Sequence, residues 1–164
     1  MPPERYFQNL PAEFIREWLP ARVKNNGWPP ESEPAKWRNV LGDTPERWRL
    51  YRWREQSIDI RSANWRSDVQ GTLRMLGDAC FRGISNRWTP NVSQSIGKIS
   101  RIQNYAIANR ALPGKLLIAD TPTGLFLVDG NHRACWYLFS SELLGETFPV
   151  SASASCYIGV YESA

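Results

Sequence analysis

The sequence predicts an α+β fold, a small mixed β-sheet with flanking helices, and three observations carry that prediction. Short stretches of alternating apolar residues occur at 50–60, 115–128 and 150–161, which is strand periodicity. Helical spacing fills the intervals at 67–80 and 92–110, and a further apolar run covers 134–144. The resulting order is strand, two helices, hairpin, helix, strand, which does not repeat as a regular βαβ array would. At 164 residues, with 42% apolar and 22% charged side chains, the chain has the size and composition of one core-forming domain with an appendage.

Residues 1–49 form that appendage, a Pro/Trp-rich arm expected to pack on the domain at 50–164. The first 46 residues hold eight of the twelve prolines, together with Trp18, Trp28 and Trp37. A short helix is predicted around Ala12–Leu19, stopped by Pro20, with the rest of the arm irregular. Binding of a partner by this arm is the competing expectation. Thr44-Pro45-Glu46 is a capped helical turn. Within Leu50–Ile60, Tyr51 and Trp53 alternate in one phase and Ile58 and Ile60 in the other, which predicts a strand with a bulge. Ser67 is the expected cap of a helix carrying Val69, Leu73, Leu76 and Cys80 on one face. Residues 82–91 read as a loop. Val92, Ile96, Ile99, Ile102, Ala106 and Ile107 give one helix or two, ended by Pro113-Gly114. KLLIAD, TPTG and LFLV (115–128) predict a β-hairpin. Ala134–Leu144 reads as a buried helix ending at Gly145, and 150–161 as the last strand.

No apolar stretch approaches 18 residues, so no membrane partner is expected. The N-terminus has no apolar signal-peptide core. A cytoplasmic location is therefore the expectation, with export by a route lacking a signal peptide left open. Cys80, Cys135 and Cys156 lie far apart and form no metal-ligand pattern, which suggests free thiols. Net charge is only +4, but it is concentrated. Arg47, Arg49, Arg52, Arg54, Arg61 and Arg66 face only Glu55 and Asp59 in the window 47–66, giving six minus two, or +4. Interleaved tryptophans make Arg52, Trp53, Arg54, Trp65 and Arg66 a candidate nucleic-acid surface, since guanidiniums grip phosphates and rings stack on bases. A solvated strand and helix face is the alternative.

The chemistry concentrates in LFLVDGNHR (125–133), which holds His132, the sole histidine. A buried strand here runs into a turn and then into a helix. Gly130 permits a sharp turn or a close backbone approach. Asn131 is the expected N-cap, leaving the helix-start amides pointing at an anion. Arg133 can add a charge to that anion, and His132 can act as acid or base. Asp129 can bind Mg²⁺, orient His132, or take a proton from a nucleophile. The alternative is a plain structural junction, with Asp129 and Arg133 forming a local ion pair.

LFLVDGNHRACWYL resembles the signature of the ParB/sulfiredoxin superfamily, a strand–Asp-Gly-X-His/Arg-Arg–helix segment following a hairpin. The resemblance covers residues 50–161. It implies a phosphate site lined by Gly130, Asn131, His132 and Arg133, with Asp129 close by. Asn131 stands where sulfiredoxins carry their cysteine, which argues against sulfinic acid reduction. Only three residues follow Tyr161, so the helix-turn-helix domain of chromosome-segregation ParB proteins is not expected. ParB-like serine kinases use an additional glutamate, for which Glu55 is the candidate. The stretch is also similar to the Fic-type motif, but Leu125 stands where that chemistry needs histidine.

The expected function is therefore a nucleotide- or phosphodiester-acting enzyme, a ParB-like nuclease or nucleotide hydrolase in the manner of a bacterial toxin or effector. Asp129, His132, Arg133 and Glu55 are its catalytic candidates, with Mg²⁺ at Asp129 and Asp59 or Asp120 as helpers. Nucleotide or nucleic acid is the expected partner, with an immunity protein possible in a toxin. A serine-type small-molecule kinase and a non-catalytic nucleotide- or DNA-binding module are the alternatives.

Overall fold

Four strands form one sheet in a computed structural model that describes residues 4–163, apart from Trp88, Pro90 and Ala152. The strands are β1 (Tyr51–Asp59), β2 (Leu116–Thr121), β3 (Gly124–Asp129) and β4 (Ser153–Tyr161). Their spatial order is β1-β4-β2-β3. β4 pairs antiparallel with β1 and parallel with β2, and β2 and β3 form the hairpin. The loop expected at 82–91 contains Trp88 and Pro90 and so lies partly outside the described residues. No described helix is long and apolar enough to cross a membrane.

Each face of the sheet has its own core. On one face Leu116, Ile118, Leu127, Cys156 and Ile158 pack against α6 (Ser67–Phe81), α7 (Val92–Asn109) and α8 (Asn131–Leu144). On the other, Tyr51, Leu117, Ala119 and Val128 pack against the arm. Two-sided burial of β2 explains its continuous apolar run, which covers both sets of alternating residues.

The arm is more regular than its composition suggests. It contains α1 (Glu4–Phe7), α2 (Ala12–Glu17), α3 (Leu19–Asn26), α4 (Pro34–Leu41) and α5 (Pro45–Trp48). The first predicted helix does end just ahead of Pro20, at Glu17, but Pro20 opens a second helix. It sits in the first turn of α3, where a missing N–H costs nothing because that N–H has no helical partner. Phe7, Trp18, Trp37 and Trp48 form the aromatic center of this layer. Arginines tie it to the rest of the domain: Arg47 covers the Tyr161 ring of β4, and Arg66 Nη1 donates to the Gly42 carbonyl at 2.6 Å.

The bulge predicted for β1 is absent. β1 pairs with β4 in continuous register from Tyr51 to Asp59. Its apolar phase changes because Tyr51 and Trp53 meet the arm while Ile58 meets the helical layer. The register shift lies instead in the hairpin, where Leu117 faces Asp129 and Ile118 faces Leu127. That irregularity immediately precedes Gly130, a position where bulges commonly re-aim side chains.

Of these two expected helix caps, one shifts. Ser67 lies inside α6, and Arg66 precedes it without a side-chain cap bond. Thr44 does cap α5, accepting from Arg47 N. α7 is one helix, but its buried stripe is Ser95, Ile99, Ile102 and Ala106, leaving Ile96 and Ile107 exposed. The three cysteines are free. Burial pushes the Cys135 thiol up to about 12 and Cys156 up to about 11, so neither is a thiolate near neutral pH.

Candidate functional site

The strand-to-helix junction begins at Gly130, whose φ of 110° belongs to the region open to glycine. A Cβ there would collide with the Leu116 side chain and lie 3.1 Å from Arg133 Nη2. Gly130, not Asn131, is therefore the N-cap, and Asn131 is the first residue of α8 without a side-chain cap bond. The first bond of the α8 ladder runs from Ala134 N–H to the Gly130 carbonyl at 3.0 Å. The amides of Asn131, His132 and Arg133 stand ahead of it, giving the anion-favoring end of the helix dipole.

Arg133 has a different role from the one its sequence position suggests. Its Nη1 donates to the Pro113 carbonyl at 2.9 Å and the Lys115 carbonyl at 3.1 Å, and its Nη2 donates to Asp129 Oδ2 at 3.1 Å. With 16% of its side chain exposed, it clasps the turn before β2 to the end of β3. Its charge still reaches the cleft, but its terminal nitrogens are engaged. The local Asp129–Arg133 ion pair is thus present.

His132 turns the other way, toward α7. Its Nε2 lies 3.1 Å from the Ser95 hydroxyl, and Ser95 is buried. Burial lowers the imidazole pKa below its usual value; Lys98 adds to this and Asp129 partly opposes it. The ring is neutral at pH 7. Asp129 does not orient it; Ser95 does.

These residues open on a cleft of about 590 Å³ lined by Arg22, Lys98, Arg101, Tyr105 and the 129–133 segment. Counting Arg22, Lys98, Arg101 and Arg133 against Asp129 gives a net charge of +3. Lys98 and Arg101 are exposed on α7 and have no ion pair among the described residues. The sequence reading missed Arg22, Ser95, Lys98 and Arg101. Lys98 and Arg101 are neighbors at i, i+3 on α7, but only the tertiary fold brings that face to the 129–133 junction.

Other predicted site residues lie elsewhere. Glu55 pairs with Lys115 at 3.0 Å and does not line the cleft. Asp59 caps the turn after β1, accepting from Arg61 N, and Asp120 lies on β2 outside the cleft lining. Among the described residues no group of three or more His, Cys, Asp or Glu side chains is placed to hold a metal ion. Asp129, engaged by Arg133, does not fit a resident Mg²⁺ alone.

The predicted nucleic-acid surface is dispersed as well. Trp65 is 6% exposed and donates Nε1–H to the Ile60 carbonyl at 2.9 Å. Trp53 packs on Trp48, Tyr51 and Gly159. Trp65 presents no open ring face for base stacking, and Trp53 is half-buried against the arm. Arg52 pairs with Glu162, and Arg66 pairs with Asp68 while covering the Phe126 ring. Arg54 stays exposed on β1. Trp65 is core and Trp53 packs half-buried on the arm's core, while Arg66 and Arg52 also reach the arm, through Gly42 and Asn9.

Comparison of the chain with family models, with curated proteins and with solved structures found no match.

Proposed function

We propose that the chain is a nucleotide- or phosphodiester-acting enzyme of ParB/sulfiredoxin-like type, holding phosphate in the cleft at the start of α8. The single observation that carries this reading is the convergence of Lys98, Arg101 and Arg22 on three unladdered amides in a cleft of net charge +3. The element order, with a hairpin leading through DGNHR into α8 and β4, supports the likeness.

In hydrolysis, His132 accepts a proton from water as the water oxygen bonds to phosphorus. The bond from phosphorus to the leaving oxygen breaks, and that oxygen takes its proton from His132 or solvent. Because Ser95 occupies Nε2, proton exchange falls to Nδ1. The cations and amides stabilize charge on the phosphoryl oxygens. Hydrolysis is preferred to serine-type kinase chemistry because Glu55, the extra acid that reading invokes, does not line the cleft. A second reading, binding without turnover, is favored by the mutual engagement of Asp129 and Arg133.

Binding of inorganic tripolyphosphate, measured by calorimetry, tests the site. Lys98→Ala and Arg101→Ala are each expected to weaken it about tenfold, with unchanged folding, because each removes a charge-assisted contact of about 1.5 kcal/mol. Undiminished affinity in the double variant would reject this cleft as the phosphate site. A product screen with nucleotides and nucleic acids separates enzyme from binding module.

A further inference from the structure

Helical spacing marks Ile107 as core, yet it is 57% exposed at the end of α7. It lines a groove of about 350 Å³ between the C-terminal halves of α7 and α8, together with Leu143 and Leu144 of α8. Those leucines are 73% and 50% exposed. Phe81 and the buried Trp136 complete the apolar lining. Seven large apolar side chains are exposed among the described residues, and three of them meet here. Such clustering marks a surface that another molecule covers. The phosphate cleft lies on the other flank of α7, at Lys98, Arg101 and Tyr105.

The surroundings of the groove say what covers it. Arg110 is exposed one turn beyond Ile107, on the α7 side. Glu142 is exposed on α8, on the side of Leu143 turned away from α7, where it lines two hollows with Leu138. Neither has an ion pair among the described residues. The last turn of α8 holds no basic residue, so the helix dipole adds to the negative charge of Glu142. An apolar ridge beside an apolar groove, with opposite charges on their outer sides, is complementary to itself. A two-fold rotation that seats the Leu143 ridge of each copy in the other's groove carries Arg110 to the outer side of the partner's α8. There it meets the partner's Glu142, and the symmetry repeats the contact.

We propose that this groove is a homodimer interface, filled by the α8 ridge of a second copy of the chain. The proposal is independent of the phosphate reading, and the dimer leaves both phosphate clefts open. Sedimentation velocity on the full chain, over a concentration series, tests it in wild type and four variants. Wild type should dimerize, and Leu143→Asp should be monomeric. Arg110→Glu and Glu142→Arg should each raise the dimer dissociation constant about tenfold or more, because each sets two like-charge pairs in the interface. The double variant Arg110→Glu/Glu142→Arg should recover dimerization, which a general loss of charge or folding would not produce. Melting curves establish that all four variants fold. A dimer that survives Leu143→Asp, or a double variant no better than the single ones, overturns the interface. So does a wild type that stays monomeric; the face then belongs to lipid if phosphatidylglycerol vesicles bind wild type and not Leu143→Asp, and otherwise to a different protein.

Discussion

His132→Ala is expected to lower turnover by about 10²–10⁴-fold while leaving tripolyphosphate affinity within about threefold of wild type. The effect should appear in turnover because the ring is neutral at pH 7 and adds no charge to hold the ligand. Its contribution is a proton acceptor beside the helix-start amides. Ser95→Ala gives a smaller loss, since Ser95 positions the ring through Nε2 and does not line the cleft. Its pH profile should also shift, which a purely structural serine would not produce. Steady-state rates from pH 5 to 8 check both. Wild-type turnover that survives His132→Ala would transfer the chemistry to another group. Absence of wild-type turnover, with nucleotide binding intact, would establish the binding module.

Arg133→Ala is expected to destabilize the fold by about 3 kcal/mol, because it removes charged hydrogen bonds to two carbonyls and to Asp129. For a chain of this size that corresponds to roughly 6–12 °C in melting temperature. Lys98→Ala and Arg101→Ala should remain within about 0.5 kcal/mol of wild type, as surface substitutions do. Arg133→Lys should recover only part of the loss, since one ammonium does not reproduce the planar fork that reaches three oxygens. Urea denaturation of the four variants distinguishes clasp from phosphate ligand. Wild-type stability in Arg133→Ala, with lost binding, would return Arg133 to the role its sequence position suggested.

Much of the sheet layer was legible because its periodicities are short and local. The hairpin at TPTG, the α6 stripe from Val69 to Leu76 and the strand-turn-helix at DGNHR needed only neighboring residues to be seen. The arm was less legible, because Pro20 reads as a stop and becomes a helix-start residue only once Trp18 breaks the chain into two helices. The tryptophans of 47–66 looked like a binding surface because their packing partners are distant in sequence: Trp48 and Trp53 meet the arm, and Trp65 lies in the core shared with α7 and α8. At the site, Gly130 and His132 were visible in the motif. Lys98, Arg101 and Ser95 were not, because α7 reaches the junction only through tertiary packing. The same packing assigns Arg133 to the scaffold: its partners at Pro113 and Lys115 lie some twenty residues away.

The lone histidine allows the central claim, a phosphate cleft around a neutral imidazole, to be tested by one NMR titration. A single imidazole resonance set follows the protonation of His132, first free and then with saturating tripolyphosphate. The free protein should titrate below the ordinary 6.5, because burial and Lys98 disfavor the charged form. Phosphate in the cleft favors the imidazolium, so the midpoint should rise when ligand binds. By linkage, affinity should then increase as pH falls between the two midpoints. A midpoint at or above 6.5 in the free protein, or one that tripolyphosphate leaves unmoved, would contradict the account.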